Sequence, residues 1–143
     1  MSSAAEARFR VPAPASVARI VKVVALDPVC DDVLARVAEE SWNGVTFFPA
    51  SSVADHADRV LREISTGDLV VMVAAAGTEP SAASLIGKAC SDSRVHTATL
   101  IVGADSASDE ALSKTLARVR PWSLMVVIVG DDNYVGDILR SFR

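Results

Sequence analysis

The chain has 143 residues, one domain's worth and too few for two independent cores. Half of it is apolar and 22% is charged, which excludes wholesale disorder, and with aromatics at 5% the core falls to Val, Ala, Leu and Ile. Lys and Arg number 14 against 18 Asp and Glu, a net charge of -4 without any Lys/Arg run, which excludes the electrostatic footprint of a nucleic-acid partner.

Residues 1–16 are small, Pro-containing and unpatterned, and are expected to form a loosely held arm before a single domain over 17–143. Arg19–Leu26 (RIVKVVAL) is β-branched and apolar, the composition of a strand buried on both faces. Asp31–Ser41 carries Val33, Leu34, Val37 and Ala38 at helical spacing, with acidic residues at the end where the helix dipole favours them. Asn43-Gly44 ends that helix, and Val45–Phe48 predicts a short second strand that closes on Ser51 and Ser52. Asp55–Ile64 aligns Ala57, Val60, Leu61 and Ile64 as a second helix, with His56 on its exposed side, and Asp68–Ala75 (DLVVMVAA) predicts the third strand. A helix over about 81–89 follows with Leu85, Ile86 and Ala89 inward, then a fourth strand, Val95–Val102, which His96 begins. Ser108–Val119 predicts a helix with a Leu112, Leu116, Val119 stripe, which Pro121 stops. Ser123–Val129 is the fifth strand and about 134–142 the last helix, burying Val135, Ile138, Leu139 and Phe142.

Strict βα alternation with near-continuous apolar strands implies a parallel sheet covered on both faces. The fold class is therefore α/β: a three-layer, Rossmann-like, doubly wound parallel sheet of about five strands. Right-handed crossovers restrict its order to a few arrangements, with 2-1-3-4-5 and 3-2-1-4-5 foremost. Ligands of such sheets bind beyond the carboxyl ends of the strands.

The opening MSSAAEARFRVPAPAS has no apolar core after a basic start, so it does not have the pattern of a secretory signal, and no apolar run approaches the roughly 20 residues of a bilayer span. A cytoplasmic location with no membrane partner is expected. Cys30 and Cys90 lie in unrelated segments; a disulfide is open to them, but a cytosolic chain favours two free thiols. His56 and His96 lack the neighbouring ligands of a metal site, and no cofactor is implied.

The first crevice loop, Leu26 to Asp32, holds no glycine, and Pro28 removes a backbone donor. Asp27, Asp31 and Asp32 would face an incoming phosphate, and two unit charges about 4 Å apart repel by roughly 4 kcal/mol at an effective dielectric near 20. Asp31 or Asp32 capping its own helix is the plain reading, and a cation or amine site the alternative. Ala76-Gly77-Thr78-Glu79-Pro80-Ser81 is more permissive, offering one glycine, two hydroxyls and a helix N-terminus, so Gly77, Thr78 and Ser81 are candidate ligand contacts alongside ordinary turn and cap roles. Asp131, in the turn Gly130–Asn133, suits a ribose or a base amine, or is an exposed turn acid; Ser51 suits a ribose or phosphate, or is an N-cap. Asp27, Ser51, Gly77, Thr78, Ser81 and Asp131 form the candidate ligand set, with no catalytic or metal residues. There is no GxSxG elbow and neither histidine neighbours a nucleophile. Cys30 lies near a helix N-terminus, which lowers a thiol pKa, and beside carboxylates, which oppose that lowering.

In order along the chain, RIVKVVAL…DDVLARVAEESWNGVTFFPASS resembles the opening of the bacterial tubulin homologue FtsZ, and GDLVVMVAAAGTEPSAASLIGKAC is similar to that family's next strand, phosphate loop and helix. VHTATLIVG and SLMVVIVGDDNYVGDIL resemble the segments that follow, so the likeness runs from Arg19 to Leu139. The family binds GTP and assembles head to tail into filaments. Its first loop is glycine-rich where this chain has Asp27, Pro28, Cys30 and Asp31, and its dense Gly/Thr phosphate loop is reduced here to Ala76, Gly77 and Thr78 before Glu79, Pro80 and Ser81. The resemblance thus implies an FtsZ-like domain without GTPase activity, working as an interaction or regulatory protein through a protein partner or a self-associating dimer. Trp42, Trp122 and Tyr134 are candidates for its contact surface, or for packing. DLVVMVAAAGTEPSAASLIGKAC also resembles sugar isomerase (SIS) domains, which hold a phosphosugar in a serine-rich loop, and this implies the alternative of a nucleotide- or phosphosugar-binding protein.

Overall fold

The structure, a computed structural model, describes residues 19–142; the arm expected over 1–16 lies outside them. Five strands carry the fold: β1 (Val21–Ala25), β2 (Val45–Phe48), β3 (Leu69–Ala75), β4 (His96–Val102) and β5 (Met125–Ile128). They form one all-parallel sheet in the order β2-β1-β3-β4-β5, the first of the two expected arrangements. Six helices connect and follow them: α1 (Asp31–Ala38), α2 (Ala50–Asp55), α3 (Ala57–Ile64), α4 (Ala82–Asp92), α5 (Asp109–Val119) and α6 (Val135–Ser141).

Alternate strand residues feed two separate cores. On one face Val23, Val71, Val73 and Leu100 pack against Leu34 and Val37 of α1 and Val135 and Leu139 of α6. On the other, Val24, Met72 and Ile101 meet Val60 and Ile64 of α3, Ile86 of α4 and Val119 of α5. Central β3 is buried along its whole length, which is why its sequence shows no alternation. Each fully buried Val, Leu or Ile contributes roughly 1.5–3 kcal/mol, so the layers are held by aliphatic packing with little aromatic help. Cys30 and Cys90 are both free and buried, one in each core.

The structure departs from the sequence expectations at particular places. Ser51 and Ser52 do not end β2: Pro49 starts an additional short helix there, α2, and after the break at His56 the helix expected over Asp55–Ile64 appears as α3, beginning at Ala57. His56 is exposed in that break. Ile86 is buried as expected, but Leu85 is exposed and Ala89 half-buried, and Ala83, Gly87 and Cys90 complete the inward face of α4. The reason is close approach: a Cβ on Gly87 would stand 2.4 Å from the Trp122 Cβ, so the helix turns its smallest residue to that ring. Burial on both faces fails at β5, the sheet edge, where Met125 and Ile128 are exposed.

Candidate functional site

The candidate site lies beyond the carboxyl ends of β1 and β3, where successive connections leave for opposite faces of the sheet. Leu26 extends β1 by donating its N–H to Val73 O (2.9 Å). That carries Asp27 to the mouth of the crevice, where it is nonetheless buried. Its Oδ2 accepts from the Ala75 N–H (3.1 Å) and lies 2.7 Å from the Thr78 hydroxyl. That hydroxyl is also 2.7 Å from Ala75 O, so its single proton serves one acceptor at a time.

The rest of the loop after β3 is equally committed. Ala76 N–H donates to Val102 O (2.8 Å) and Thr78 N–H to Ala75 O (3.2 Å). Gly77, at φ +97°, donates its N–H to the Thr115 hydroxyl (2.9 Å), and Thr115 in turn donates to Thr78 O (2.6 Å). Thr115 is fully buried on α5 and was not among the sequence candidates, though it falls between Leu112 and Val119 on the inward stripe. From Ala75 through Thr78, therefore, every backbone N–H has an internal acceptor, and the anion in the loop is the protein's own Asp27 carboxylate.

The other aspartates have local duties. Asp31 does not cap its own helix; it is the first residue of α1, and its Oδ1 accepts from the Ala50 N–H (2.8 Å), satisfying the start of α2 instead. Asp131 accepts from the Asn133 N–H (2.9 Å) in the turn after β5, two strands away from β3. Ser51 and Ser81 both line a crevice of about 460 Å³ with apolar walls that include Leu26, Pro28, Val53 and Leu85. Thus the structure brings Asp27, Gly77 and Thr78 into one bonded cluster and Ser51 and Ser81 into a neighbouring crevice, and leaves Asp131 apart.

Cys30 ends the short turn after Asp27, buried against the core. Burial pushes its thiol up to about 12, with the carboxylates of Asp27, Asp31 and Asp132 adding to the effect, so it is held as a neutral thiol and not as a nucleophile. Of the aromatic candidates, Trp42 is a packing residue: its Nε1–H donates to Val37 O (2.7 Å), its ring meets Phe47 edge-on at 5.7 Å, and the Arg140 guanidinium lies 4.8 Å over it. Trp122 packs on Gly87, while Tyr134 is exposed. Glu79 makes only an exposed ion pair with Arg118 (3.7 Å).

No protein-family model matches the chain, and no curated protein matches it either. The fold and site together define a three-layer α/β domain with a parallel sheet whose crevice loops are closed by their own side chains. None of the helices among the described residues is long and apolar enough to cross a membrane.

Proposed function

We infer that this chain is an FtsZ-like α/β domain of the cytoplasm that acts by protein contact, as an interaction or regulatory module without GTPase activity. One observation carries the reading: the backbone N–H groups of Ala75 to Thr78 are all bonded internally, the first of them to the buried Asp27 carboxylate. A phosphate arriving there would have to displace a buried, like-charged group and break bonds that would then go unmade at about 1–3 kcal/mol each. The order of segments from Arg19 to Leu139 supports the FtsZ likeness, and the two free thiols agree with a reducing compartment.

Calorimetric titration of the purified protein with GTP, GDP and ATP, each with magnesium, tests it. The expected result is no binding heat and no rise in melting temperature. Tight magnesium-dependent uptake of a guanine nucleotide would overturn the reading. A second reading, a small-molecule binding protein for a nucleotide or phosphosugar, draws support from the crevice beside Ser51 and Ser81. Its lining contains Asp31 and neither Lys nor Arg, which disfavours a phosphorylated ligand. Sugar phosphates in the same titration decide between the two, because a ligand at about 100 times its Kd stabilises by roughly 2.7 kcal/mol.

A further inference from the structure

The crevice that Ser51 and Ser81 line has walls from three connections: the loop after β1, the helix α2 that follows β2, and the start of α4, which follows β3. It lies over the carboxyl ends of β2, β1 and β3, beside the switch point between β1 and β3, where open α/β sheets take their ligands. Its volume of about 460 Å³ falls within the roughly 300–1,000 Å³ of small-molecule pockets. Leu26, Val53 and Leu85 make the lining largely apolar, and Leu85, 43% exposed, is the large side chain that α4 leaves outside the core.

The polar groups of the lining are few and unspent. Asp31 Oδ1 accepts from the Ala50 N–H (2.8 Å), which anchors the carboxylate, while its Oδ2 has no hydrogen-bond partner among the described residues. No Lys, Arg or His lines the crevice, and none pairs with Asp31 among the described residues. The Ser81 hydroxyl precedes α4 without capping it, and that of Ser51, in the first turn of α2, likewise has no partner among the described residues. The loop from Leu26 to Asp32 adds Asp27 and Asp32 and no cation, so the field at this end of the sheet is negative.

We propose that the crevice is a binding site for an organic amine, a protonated primary or secondary amine carried on an apolar body. Three ligand chemistries can be compared there. An anion meets repulsion from Asp31 with nothing to offset it. A neutral apolar ligand covers the walls but takes water from the carboxylate and gives it no partner, which is costly. An ammonium group donates a charge-assisted hydrogen bond to Asp31, and its remaining N–H groups suit the hydroxyl acceptors of the same lining, while its body covers Leu26, Val53 and Leu85. No aromatic residue lines the crevice, so it lacks the ring faces that hold a quaternary ammonium ion, and N–H donors are what it can recognise. The inference goes beyond the contact reading and does not depend on it, and it gives the crevice a ligand class other than a nucleotide or phosphosugar.

The test is a titration of the isotope-labelled full chain at neutral pH with phenethylamine, tryptamine and hexylamine, followed through its amide chemical shifts. Saturable shifts are expected along the loop after β1, α2 and the start of α4. Phenethyl alcohol, which has the same body without the charge, should bind at least about tenfold more weakly than phenethylamine, and hydrocinnamate, with the opposite charge, should leave the spectrum unchanged. The N,N,N-trimethyl derivative of phenethylamine should also bind less well than its parent. Asp31→Asn keeps a carbonyl oxygen for the Ala50 N–H and removes the charge, so it should bring the amine down to the level of the alcohol. Absence of saturable shifts with all three amines overturns the proposal, as do shifts centred elsewhere or equal binding of amine and alcohol. An amine preference that survives Asp31→Asn removes the carboxylate from the site and overturns it too. The comparison of amine with alcohol needs no variant, and the amide spectrum itself reports whether Asp31→Asn is folded. Nucleotide uptake in the calorimetric titration would overturn the contact reading separately, whatever the amines do.

Discussion

Thr115 shows how much one hydroxyl can hold. It accepts from Gly77 and donates to Thr78 while fully buried, tying α5 to the loop after β3. Thr115→Val keeps the shape and removes both bonds, leaving a donor and an acceptor unmade. The expected loss is about 1–3 kcal/mol of unfolding free energy, read by urea denaturation, with Thr115→Ser losing much less because it retains the oxygen. Asp27→Ala should behave similarly, since it strands the Ala75 N–H; Asp27 and Thr78 touch each other, so their double substitution should cost less than the sum of the singles. At this scale the sequence was only half legible. The acids and proline of the first loop were visible as obstacles to phosphate, but which donor Asp27 would satisfy depends on a residue 48 positions away. Asp31 misled for the same reason: its acceptor oxygen reaches the start of α2, across 19 residues, instead of its own helix.

Elements were more legible than contacts, because hydrophobic periodicity is local while packing partners are not. β2 over Val45–Phe48 appears where the sequence pattern puts it, and β3, β4 and α5 begin within one residue of expectation. The turn Ala50–Asp55 was hidden, since a six-residue helix after a proline has too few residues to display a period. Leu85 was assigned to the wrong face because a leucine outweighed a glycine in the pattern, and the deciding contact, Trp122 on Gly87, comes from another element. This contact gives a test. A Cβ at position 87 would lie 2.4 Å from the Trp122 Cβ and 2.8 Å from its Cγ, below any real separation, and the ring is a rigid neighbour. Although alanine is the better helix former by about 1 kcal/mol, Gly87→Ala should destabilise by about 1–3 kcal/mol, because overpacking outweighs propensity. Pairing it with Trp122→Ala, which vacates the space, should make the alanine at 87 neutral or favourable, as a double-mutant cycle in denaturant would read. A stabilising Gly87→Ala in the wild-type background would contradict the close approach.

At the scale of the molecule, a five-stranded sheet separates two aliphatic cores, and each contains one buried cysteine. Burial pushes Cys30 up to about 12, helped by nearby carboxylates, and Cys90 up to about 11 by burial alone, from an ordinary value of 9.0. The consequence for stability follows from which state releases protons first. Below pH 9 both thiols are protonated in folded and unfolded chains alike, so pH has no hold through them. Above it the unfolded chain ionises while the folded one does not, and each thiol then draws the equilibrium toward unfolding by up to about 1.4 kcal/mol per pH unit. The loss begins near pH 9 and is complete only as the pH passes the folded values, about 11 for Cys90 and about 12 for Cys30. Between about pH 8 and pH 10 the two thiols together should lower the unfolding free energy by about 2–3 kcal/mol, measured by urea denaturation in reducing buffer. A Cys30→Ala, Cys90→Ala protein will start less stable because of the space it leaves, but its stability should fall by that much less over the same interval. The slope isolates the thiols from lysine and tyrosine titrations, which both proteins share. Equal slopes would mean that both thiols ionise freely in the folded state, and the two cores would then be open to water where the structure has them closed.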